Sequence, residues 1–470
     1  MIKKFYITTA IDYVNAAPHI GHAFEKVLAD AIARWRRLKG ENVFFLTGVD
    51  ENAQKNVQAA EKAGIPIKRF VDKNSSLFLE LCRKLNISFS DFIRTSAEKH
   101  GKIVQRVVKK IIENGDVYKT NYEGYYCSGC EAFKTGKDLV NGKCPEHNKE
   151  PEYRKEEAYF FKLSKYQKKL LEIIPRYVVP REKANEIISR VKEGLNDLCI
   201  TRKNVEWGID FPIDKKFKVY VWVDALINYI SGLKDEKFWP ANVHVIGKGI
   251  NWFHSVIWPA LLLSAGYKLP EKLLVHGYLT SSRSKISKSL GNVISPLDLL
   301  EKYEQDVIRY SLLRCSVFSD SNYSEEILIE RNNNELANKL GNLISRVSSL
   351  IEKHGIEKTD NKLISKLKLK EIEKLMDNFE VDKALLLIFE FIDACNEYVQ
   401  KKKPWETGDK KVLYELADSI KIIAILLYPF IPSSCNKIAK DFGFKIELDE
   451  IKKPLKIGKI KKSKILFKKI

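Results

Sequence analysis

The first fifty residues alternate between a strand pattern, a helix pattern and a second strand pattern, and this alternation constrains the fold more than any other feature. Residues 5–9 form a β-branched and aromatic run, residues 22–38 carry apolar side chains at helical spacing, and residues 43–47 form another buried-strand pattern. This order predicts a βαβ unit and therefore a doubly wound parallel sheet. Ligands bind such sheets at the carboxyl ends of the strands, so we expect functional loops after both strands.

The remaining sequence divides into segments with different patterns. Residues 120–150 are rich in Gly, Cys, Tyr and Lys and lack a helical period, whereas strand patterns return at 219–223, 244–247 and 272–275. In the C-terminal third, apolar side chains recur at three- and four-residue steps, which is typical of a helix bundle. The predicted segments are two halves of one α/β domain (1–116 and 206–270), an insertion between them (117–205), a following region (271–330), a helix bundle (331–450) and a terminal segment (451–470).

The charge balance points to a polyanionic partner. The 470 residues contain 81 Lys and Arg against 61 Asp and Glu, a net charge of +20. Such an excess favours nucleic acid or a membrane surface, with a general Lys bias of the source as the alternative. Residues 331–450 hold 20 basic and 20 acidic side chains, whereas 451–470 hold nine Lys and no acid. No apolar run reaches the roughly 18 residues of a membrane span and the chain starts without a signal-peptide pattern, so we expect a cytoplasmic protein.

Two chelating pairs lie close together in the segment without helical period. They are Cys127-x-x-Cys130 and Cys144-x-x-His147, a spacing that matches the tetrahedral Zn²⁺ site of a knuckle at about residues 124–150. All four ligands come from the protein, so no position remains for a catalytic water and we expect a structural metal. The alternative is a set of reduced cysteines beside a surface histidine.

Two short motifs are suited to phosphate groups. Residues 19–22 (His-Ile-Gly-His) lie where the first strand pattern gives way to the first helix pattern, and helix N-termini favour anions. Residues 285–289 (Lys-Ile-Ser-Lys-Ser) place two cations three residues apart with hydroxyls between them, which can neutralise charge that moves onto pyrophosphate. Taken singly, the first motif is also compatible with a surface pair and the second with a solvated basic loop.

Together the two motifs resemble the paired signatures of the class I aminoacyl-tRNA synthetases. Further stretches narrow the resemblance to the methionyl-tRNA synthetase family, and they are Tyr13-Val14-Asn15, residues 44–51, 220–225 and 245–248, Phe253-His254 and Trp258-Pro259-Ala260. The resemblance implies a Rossmann-like α/β catalytic domain with a zinc-knuckle insertion, followed by an all-α anticodon-binding bundle. It also implies an ATP- and Mg²⁺-dependent ligase that converts L-methionine to methionyl-adenylate and then charges tRNA(Met), and we expect a monomer.

The same resemblance implies roles for individual residues. Catalysis is expected of His19, His22, Lys285 and Lys288, with Gly21, Ser287 and Ser289 added for ATP binding. The residues expected around methionine are Ala10, Ile11, Tyr13, Asp50, Trp222, Ala225, Tyr229, Ile250, His254 and Trp258. The residues expected at the anticodon are Asn342, Arg346 and Trp405, and because their domain is neutral we expect stacking and hydrogen bonds more than phosphate neutralisation.

Five positions depart from the family pattern. Ile286 stands for a common Met, Asn52-Ala53 for a common His-Gly, and Leu226 for a Pro of some members. Gly249 stands for a common Asp, and it is the most consequential departure because it removes a carboxylate near the amino acid and the ribose.

The terminal segment resembles the closing segment of the family. We expect it to pack back through its apolar residues, with Lys facing solvent or tRNA. Two other functions stay open at this point. One is a class I synthetase for another apolar amino acid or for cysteine, and the other is a zinc-containing tRNA-binding homologue without catalysis.

Overall fold

The computed structural model describes residues 2–127, 132–134, 139–145, 148–203, 205–281, 284–285, 294–458 and 460–470. The strands are β1 (Lys4–Thr9), β2 (Asp12–Tyr13), β3 (Asn42–Asp50), β4 (Asp91–Arg94), β5 (Val117–Cys127), β6 (Ala132–Lys134), β7 (Glu152–Phe161), β8 (Val178–Val179), β9 (Leu198–Cys199), β10 (Thr201–Lys203), β11 (Phe217–Val219), β12 (Val243–Gly247), β13 (Lys272–His276), β14 (Leu279–Ser281), β15 (Ser284–Lys285) and β16 (Ser321–Asn322).

The helices follow a similar list in chain order. They are α1 (Ile20–Leu38), α2 (Gln54–Lys62), α3 (Ile67–Lys84), α4 (Glu98–Glu113), α5 (Gln167–Tyr177), α6 (Arg181–Lys192), α7 (Val221–Leu226), α8 (Asn228–Ser231), α9 (Trp258–Ser264), α10 (Pro296–Lys302), α11 (Gln305–Leu313), α12 (Glu325–Arg331), α13 (Asn342–His354), α14 (Leu369–Asp377), α15 (Val381–Lys402), α16 (Pro404–Thr407), α17 (Lys410–Leu427) and α18 (Pro432–Phe442).

The central sheet is parallel, which confirms the fold class predicted from the first fifty residues. Strand β1 lies between β3 and β12, with Ile7 opposite both Phe45 and Val243. Strand β4 pairs with β3, and β13 pairs with β12. The side chains of Phe5 through Thr9 are buried, because helices cover both faces of a doubly wound sheet. The carboxyl ends of β1, β3, β12 and β13 therefore open on one edge.

Strands β5, β6, β7 and β9 form a separate antiparallel layer. Strands β5 and β7 pair along most of their length, with Val117 opposite Phe161 and Tyr126 opposite Glu152, and β6 and β9 add at the edges. The predicted insertion 117–205 is not purely a separate layer, since β8 pairs with β13 at the edge of the central sheet. A two-residue strand carries no readable sequence pattern, so the sequence does not predict that the chain returns to the sheet at β8.

The strand predicted at residues 219–223 was wrong for most of its length. Strand β11 ends at Val219, and residues from Val221 onward form helix α7. Strand β11 pairs with β10 and not with the central sheet. A continuous apolar run has neither the period of an exposed helix nor that of an exposed strand, so the pattern could not separate the two.

Helix α1 joins the open edge of the sheet to the helical region. It runs for 19 residues, and its interior includes Ile20, Val27 and Trp35, all buried. Its C-terminal turn contacts the helical region, where Trp35 Nε1 donates to Asp377 Oδ1 over 3.2 Å. The helix therefore extends from the predicted His-Ile-Gly-His motif to α14.

A buried ion pair lies where the α/β domain meets the helical region. Arg309 on α11 and Asp30 on α1 are both fully buried, with 2.7 Å between guanidinium Nη2 and carboxylate Oδ2. The same guanidinium donates to the carbonyls of Leu85, Pro429 and Phe430 over 2.9–3.1 Å. Burial alone would raise the pKa of Asp30, but Arg309 and Arg34 hold it below its usual value.

The Lys-rich terminal segment runs back along the helical region. Leu455, Ile460 and Phe467 are buried. The Tyr414 hydroxyl donates to the Leu455 carbonyl over 2.7 Å, and Asn332 Nδ2 donates to the carbonyl of Lys468 over 2.8 Å. In the part of the chain that the structure describes, no helix is both long and apolar enough to cross a membrane.

Candidate active site

A cavity of about 570 Å³ opens at the carboxyl edge of the central sheet. It is lined by the loop after β1, the start of α1, the end of β3, helices α7 and α8, the turn after β12 and the segment after β13. All but one of the residues predicted around methionine line it, namely Ala10, Ile11, Tyr13, Asp50, Trp222, Ala225, Tyr229, Ile250 and His254, together with His19, Gly21 and His22 of the first motif. The two predicted sites thus share one space.

The histidine motif caps helix α1. His19 is the N-cap residue, and its Nδ1 accepts from the backbone N–H of Gly21 over 3.1 Å. His22 Nδ1 accepts from the backbone N–H of His19 over 3.1 Å. The two rings stack with 3.6 Å between centroids. This is the reciprocal pattern of a capping box, with imidazoles in both side-chain positions.

The cap determines which nitrogen of each histidine carries a proton. A ring nitrogen accepts a hydrogen bond only when it is unprotonated, and both Nδ1 atoms accept from backbone N–H groups. Each ring is therefore neutral in this arrangement and carries its proton on Nε2. The motif can offer its anion ligand two N–H donors in addition to the helix N-terminus.

Aromatic side chains build one end of the cavity. The Trp222 ring stacks on Phe253 with 3.7 Å between centroids, and Tyr13 and His254 approach its edge or face at 6.2 and 6.4 Å. Trp222 lies on α7 and Phe253 in the turn of helix before α9. Aromatic surfaces of this kind suit a flexible, polarizable thioether.

A buried hydrogen bond orients the inner wall of this end. The Tyr229 hydroxyl lies 2.7 Å from His254 Nε2, and His254 Nδ1 lies 3.0 Å from the carbonyl oxygen of Ile250. A carbonyl only accepts, so Nδ1 carries the proton and Nε2 accepts from Tyr229. Burial lowers the pKa of His254 to about 4, so the imidazole is neutral at physiological pH.

Asp50 places a carboxylate at the carboxyl end of β3. Its side chain is almost fully buried, and Oδ1 accepts from the backbone N–H of Asn52 over 3.0 Å and from Thr95 Oγ1 over 3.3 Å. These bonds hold the carboxylate in one orientation. A buried carboxylate in a cavity is suited to a cationic group.

Trp258 is the predicted methionine residue that does not line the cavity. It is fully buried on α9, its Nε1 donates to His244 Nε2 over 3.3 Å, and its ring lies 5.8 Å from that of Tyr229. Trp258 therefore packs against Tyr229 from outside the cavity lining.

Sequence reasoning missed a buried charge network at the edge of the cavity. Lys26 Nζ lies 2.8 Å from Asp12 and 3.4 Å from Glu25, and His276 Nε2 lies 3.1 Å from Glu25. Burial raises the pKa of Asp12 to about 6, against the opposing effect of Lys26. Asp12 Oδ1 is also 3.9 Å from His22 Nε2. The signal available in the sequence was a set of charged residues inside otherwise apolar segments, which does not by itself say which charges meet.

Asn52, one of the departures from the family pattern, has a structural role. Its amide nitrogen donates to Asp224 Oδ2 over 2.8 Å and to the Thr95 carbonyl over 3.1 Å. Asp224 Oδ1 lies 2.6 Å from His100 Nε2. Asn52 thus links the end of β3 to α7, which carries the aromatic wall.

Several predicted site residues lie outside the described residues. They are Ser287, Lys288 and Ser289 of the second motif and Cys130 and His147 of the zinc motif, and the side chain of Lys285 is likewise not described. The two described cysteines of the zinc motif, Cys127 and Cys144, are both buried. The described ranges contain no group of three or more side chains placed to hold a metal ion.

The residues predicted at the anticodon share one surface of the helical region. Asn342 and Arg346 are exposed and lie one turn apart on α13. The Arg346 guanidinium is 6.0 Å from the centroid of the Trp405 ring on α16, and Trp405 is 39% exposed. The three side chains are therefore neighbours although the sequence separates them by up to 63 positions.

Comparison with known families bears on the whole chain. The family described as tRNA synthetases class I (M) matches residues 5–150 and 135–348, and the anticodon-binding domain of tRNA ligase matches residues 360–465. The chain belongs to the methionyl-tRNA synthetase family. This confirms the predicted family, enzyme class and two-part architecture of a methionyl-tRNA synthetase.

Individual members of the methionyl-tRNA synthetase family align over most of the chain. The methionine--tRNA ligase of Caldanaerobacter subterraneus subsp. tengcongensis is 41% identical over 100% of this chain and 79% of its own length. That of Rickettsia conorii is 42% identical over 94% of this chain and 93% of its own. The crystal structure of Mycobacterium tuberculosis methionyl-tRNA synthetase bound by methionyl-adenylate superposes with a TM-score of 0.94 at 35% identity, covering 99% and 100% of the two chains.

Proposed function

We propose that this chain activates L-methionine with ATP and transfers it to the 3′ end of tRNA(Met). One structural observation supports the proposal independently of family membership. A single cavity joins a helix-capping histidine pair, which offers N–H donors, to an aromatic pocket with a buried carboxylate. These are the groups needed to hold a phosphate chain and an apolar amino acid in contact with each other.

In the first step a carboxylate oxygen of methionine attacks the α-phosphorus of ATP. A new P–O bond forms while the bond from the α-phosphorus to the bridging oxygen breaks, and pyrophosphate leaves with the electron pair. The Nε2–H groups of His19 and His22 donate to the phosphate oxygens. No covalent intermediate with the enzyme is needed, so rate enhancement comes from positioning and electrostatics.

Residues outside the described part of the site complete this step in the proposal. Lys285 and Lys288, with Ser287 and Ser289, hold the departing phosphates, and Gly21 leaves room for the nucleotide at the start of α1. Mg²⁺ is the ion proposed to accompany ATP, since it binds substrate phosphates more readily than all-protein cages. In the second step the terminal ribose hydroxyl of tRNA attacks the carbonyl carbon of the adenylate, and AMP leaves.

The aromatic end of the cavity is the proposed methionine pocket. Asp50 binds the ammonium group, and the thioether lies against Trp222, Tyr13 and His254. Because His254 is neutral and its Nε2 is used by Tyr229, the wall presents no charge to the thioether. Trp258 supports the pocket through Tyr229.

A structural Zn²⁺ is proposed for Cys127, Cys130, Cys144 and His147. The burial of Cys127 and Cys144 fits a closed site, and thiolates with imidazole are ligands that zinc prefers. Metal analysis of the purified protein checks this proposal: about one zinc per chain is expected, and none after substitution of Cys144 by serine.

The anticodon is proposed to bind Asn342, Arg346 and Trp405. Unpaired RNA bases stack on aromatic and guanidinium planes, and Arg346 already lies over the Trp405 ring. Equal affinity of wild-type protein and the Trp405→Ala variant for tRNA(Met) would contradict this role. The proposed activity serves translation and is therefore assigned to the cytoplasm, while the monomeric state stays a prediction.

Amino-acid-dependent ATP–pyrophosphate exchange tests the proposed function. With the panel of standard amino acids, we expect exchange with methionine to exceed that with every other by at least about 10²-fold, as a pocket shaped to one apolar side chain allows. Preference for cysteine or another apolar amino acid would support the alternative synthetase. Absence of exchange with every amino acid would support the tRNA-binding homologue without catalysis.

The Tyr229→Phe variant tests the pocket. It leaves the buried Nε2 of His254 without its donor, which costs about 1–3 kcal/mol when no substitute exists. We expect KM for methionine to rise about tenfold with KM for ATP unchanged. Tyr323→Phe is the matched control, because this buried tyrosine also bonds to a side chain, Ser311, but lies outside the cavity. Similar KM values for methionine in the two variants would contradict the assignment.

A further inference from the structure

Gly249 and Tyr278 meet at the end of the cavity that is formed by the turn after β12 and the segment after β13. A Cβ atom on residue 249 would lie 2.0 Å from the Tyr278 hydroxyl oxygen and 3.3 Å from Cζ of the same ring. Both residues line the cavity. The hydroxyl therefore stands where a side chain of residue 249 would begin, and a larger residue at 249 requires the Tyr278 ring to move.

Neighbouring groups hold Tyr278 in that position. Its backbone N–H donates to Asp320 Oδ1 over 2.9 Å. Lys248 Nζ lies 4.7 Å from the centroid of the tyrosine ring and 2.7 Å from Asp320 Oδ2. The ring is thus fixed by the turn after β12, which carries Lys248, and by the chain before β16, which carries Asp320.

The location of Tyr278 points to the nucleoside part of ATP. It follows β13, whereas the methionine pocket is built by α7, α8 and residues 250–254. In a doubly wound sheet nucleotides lie across the carboxyl ends of neighbouring strands, here β1, β12 and β13. The histidine pair and the second motif are assigned to phosphates, and the phenol, which can both donate and accept, has the chemistry to bind the sugar.

We propose that Tyr278 binds ATP through a hydrogen bond from its phenol group to a ribose hydroxyl. The phenol takes over the space, and with it the polar contact, that a side chain at position 249 would supply, and Gly249 lets the phenol occupy that space without a clash. This inference rests on the proposed function, and it accounts for the departure at Gly249, where the family pattern has a carboxylate.

The first test compares nucleotides in methionine-dependent ATP–pyrophosphate exchange. Tyr278→Phe is expected to raise KM for ATP about tenfold, as loss of one polar contact does, with KM for methionine and kcat nearly unchanged. With 2′-deoxy-ATP or 3′-deoxy-ATP, whichever lacks the partner hydroxyl, wild type and variant should have the same KM. An equal penalty on all three nucleotides, or no penalty, would overturn the proposal.

A double-mutant cycle tests the shared space. Gly249→Ala places Cβ against the phenol oxygen and is expected to raise KM for ATP at least as much as Tyr278→Phe. The two together should do no more than Tyr278→Phe alone, because without the hydroxyl the nearest ring atom is 3.3 Å away. Penalties that simply add would overturn it.

Controls separate this inference from the proposed function. Gly101→Ala is the matched glycine variant, since its Cβ would meet only Ile209 at 3.9 Å, and wild-type KM values are expected. If wild-type protein shows no exchange with methionine, the proposed function fails. If exchange is normal and Tyr278→Phe behaves like wild type, only the role of Tyr278 fails.

Discussion

Replacing His22 by asparagine is expected to lower kcat/KM for methionine-dependent ATP–pyrophosphate exchange by about 10²–10³-fold, the loss typical of one transition-state donor. The asparagine amide oxygen stands near the position of Nδ1 and preserves the bond from the backbone N–H of His19. No group then reaches the position of Nε2, where the proposed mechanism places the N–H donor to the phosphate oxygens.

A glutamine at position 22 tests the N–H donor to phosphate separately from the hydrogen bond that caps helix α1. Its longer side chain can bring an amide N–H near the Nε2 position, so we expect His22→Gln to retain about tenfold more activity than His22→Asn. KM for methionine and the melting temperature of His22→Asn should match wild type, because the cap is kept. Equal activity of the two variants, or a loss explained by unfolding, would contradict the assignment of a neutral Nε2–H donor.

The largest effect on stability is expected from Arg309→Met. Among the described residues, Arg34 and Arg309 both lie 2.7 Å from Asp30. Arg34 is on the same helix as Asp30, whereas Arg309, which this substitution removes, comes from the other side of the domain junction. Asp30 therefore keeps Arg34 but loses its partner across the junction, and the backbone carbonyls that accept from Arg309 lose their donor. Removing one partner of a buried ion pair typically costs 3–5 kcal/mol, a large part of a typical whole-protein stability. We expect the first denaturant or thermal transition to shift accordingly, since a chain of this size need not unfold in one step.

Two further variants make the test specific. Lys368→Met breaks an exposed pair with Glu390, whose atoms are 2.8 Å apart against 2.7 Å in the buried pair, and exposed pairs contribute at most about 1 kcal/mol. Asp30→Leu combined with Arg309→Met leaves the buried Arg34 without its carboxylate, so the double variant should be no more stable than Arg309→Met. If Arg309→Met costs no more than Lys368→Met, the junction does not depend on the buried pair.

The pair between Asp30 and Arg309 also lies on the helix that connects the histidine motif to the helical region. Asp30 lies on the helix whose first turn carries His19 and His22, and Trp35 near its end bonds to Asp377 in the helical region. A helix is stiff along its axis. The loss of Arg309 is therefore expected to change the proposed ATP site only if the whole of α1 shifts. Activity measured below the first transition of Arg309→Met should therefore stay within about threefold of wild type, since the contacts of the cap are not touched.

The site could be predicted where its chemistry lies in short motifs. The loop after β1 with residues 19–22, Asp50 and Ile250 came together in one cavity because they follow β1, β3 and β12, whose carboxyl ends share one edge of the parallel sheet. Trp222, Ala225 and Tyr229 follow β11, which lies outside that sheet, so only the packing of α7 and α8 brought them to the cavity. Trp258 shows the limit of that reasoning, since a residue type matched from a family pattern does not reveal whether the ring faces the ligand or the core.

By itself the sequence determined the βαβ beginning, the helical C-terminal region and the position of the 19–22 motif at the start of the first helix, because helix and strand periods and caps depend on residues only a few positions apart. The tertiary structure alone decided which distant side chains meet. Residues 219–223 became mostly helix, Glu25 met His276 across 251 positions, and Tyr278 filled the space of Gly249. Such contacts follow from the packing of whole elements against one another, which no local pattern records.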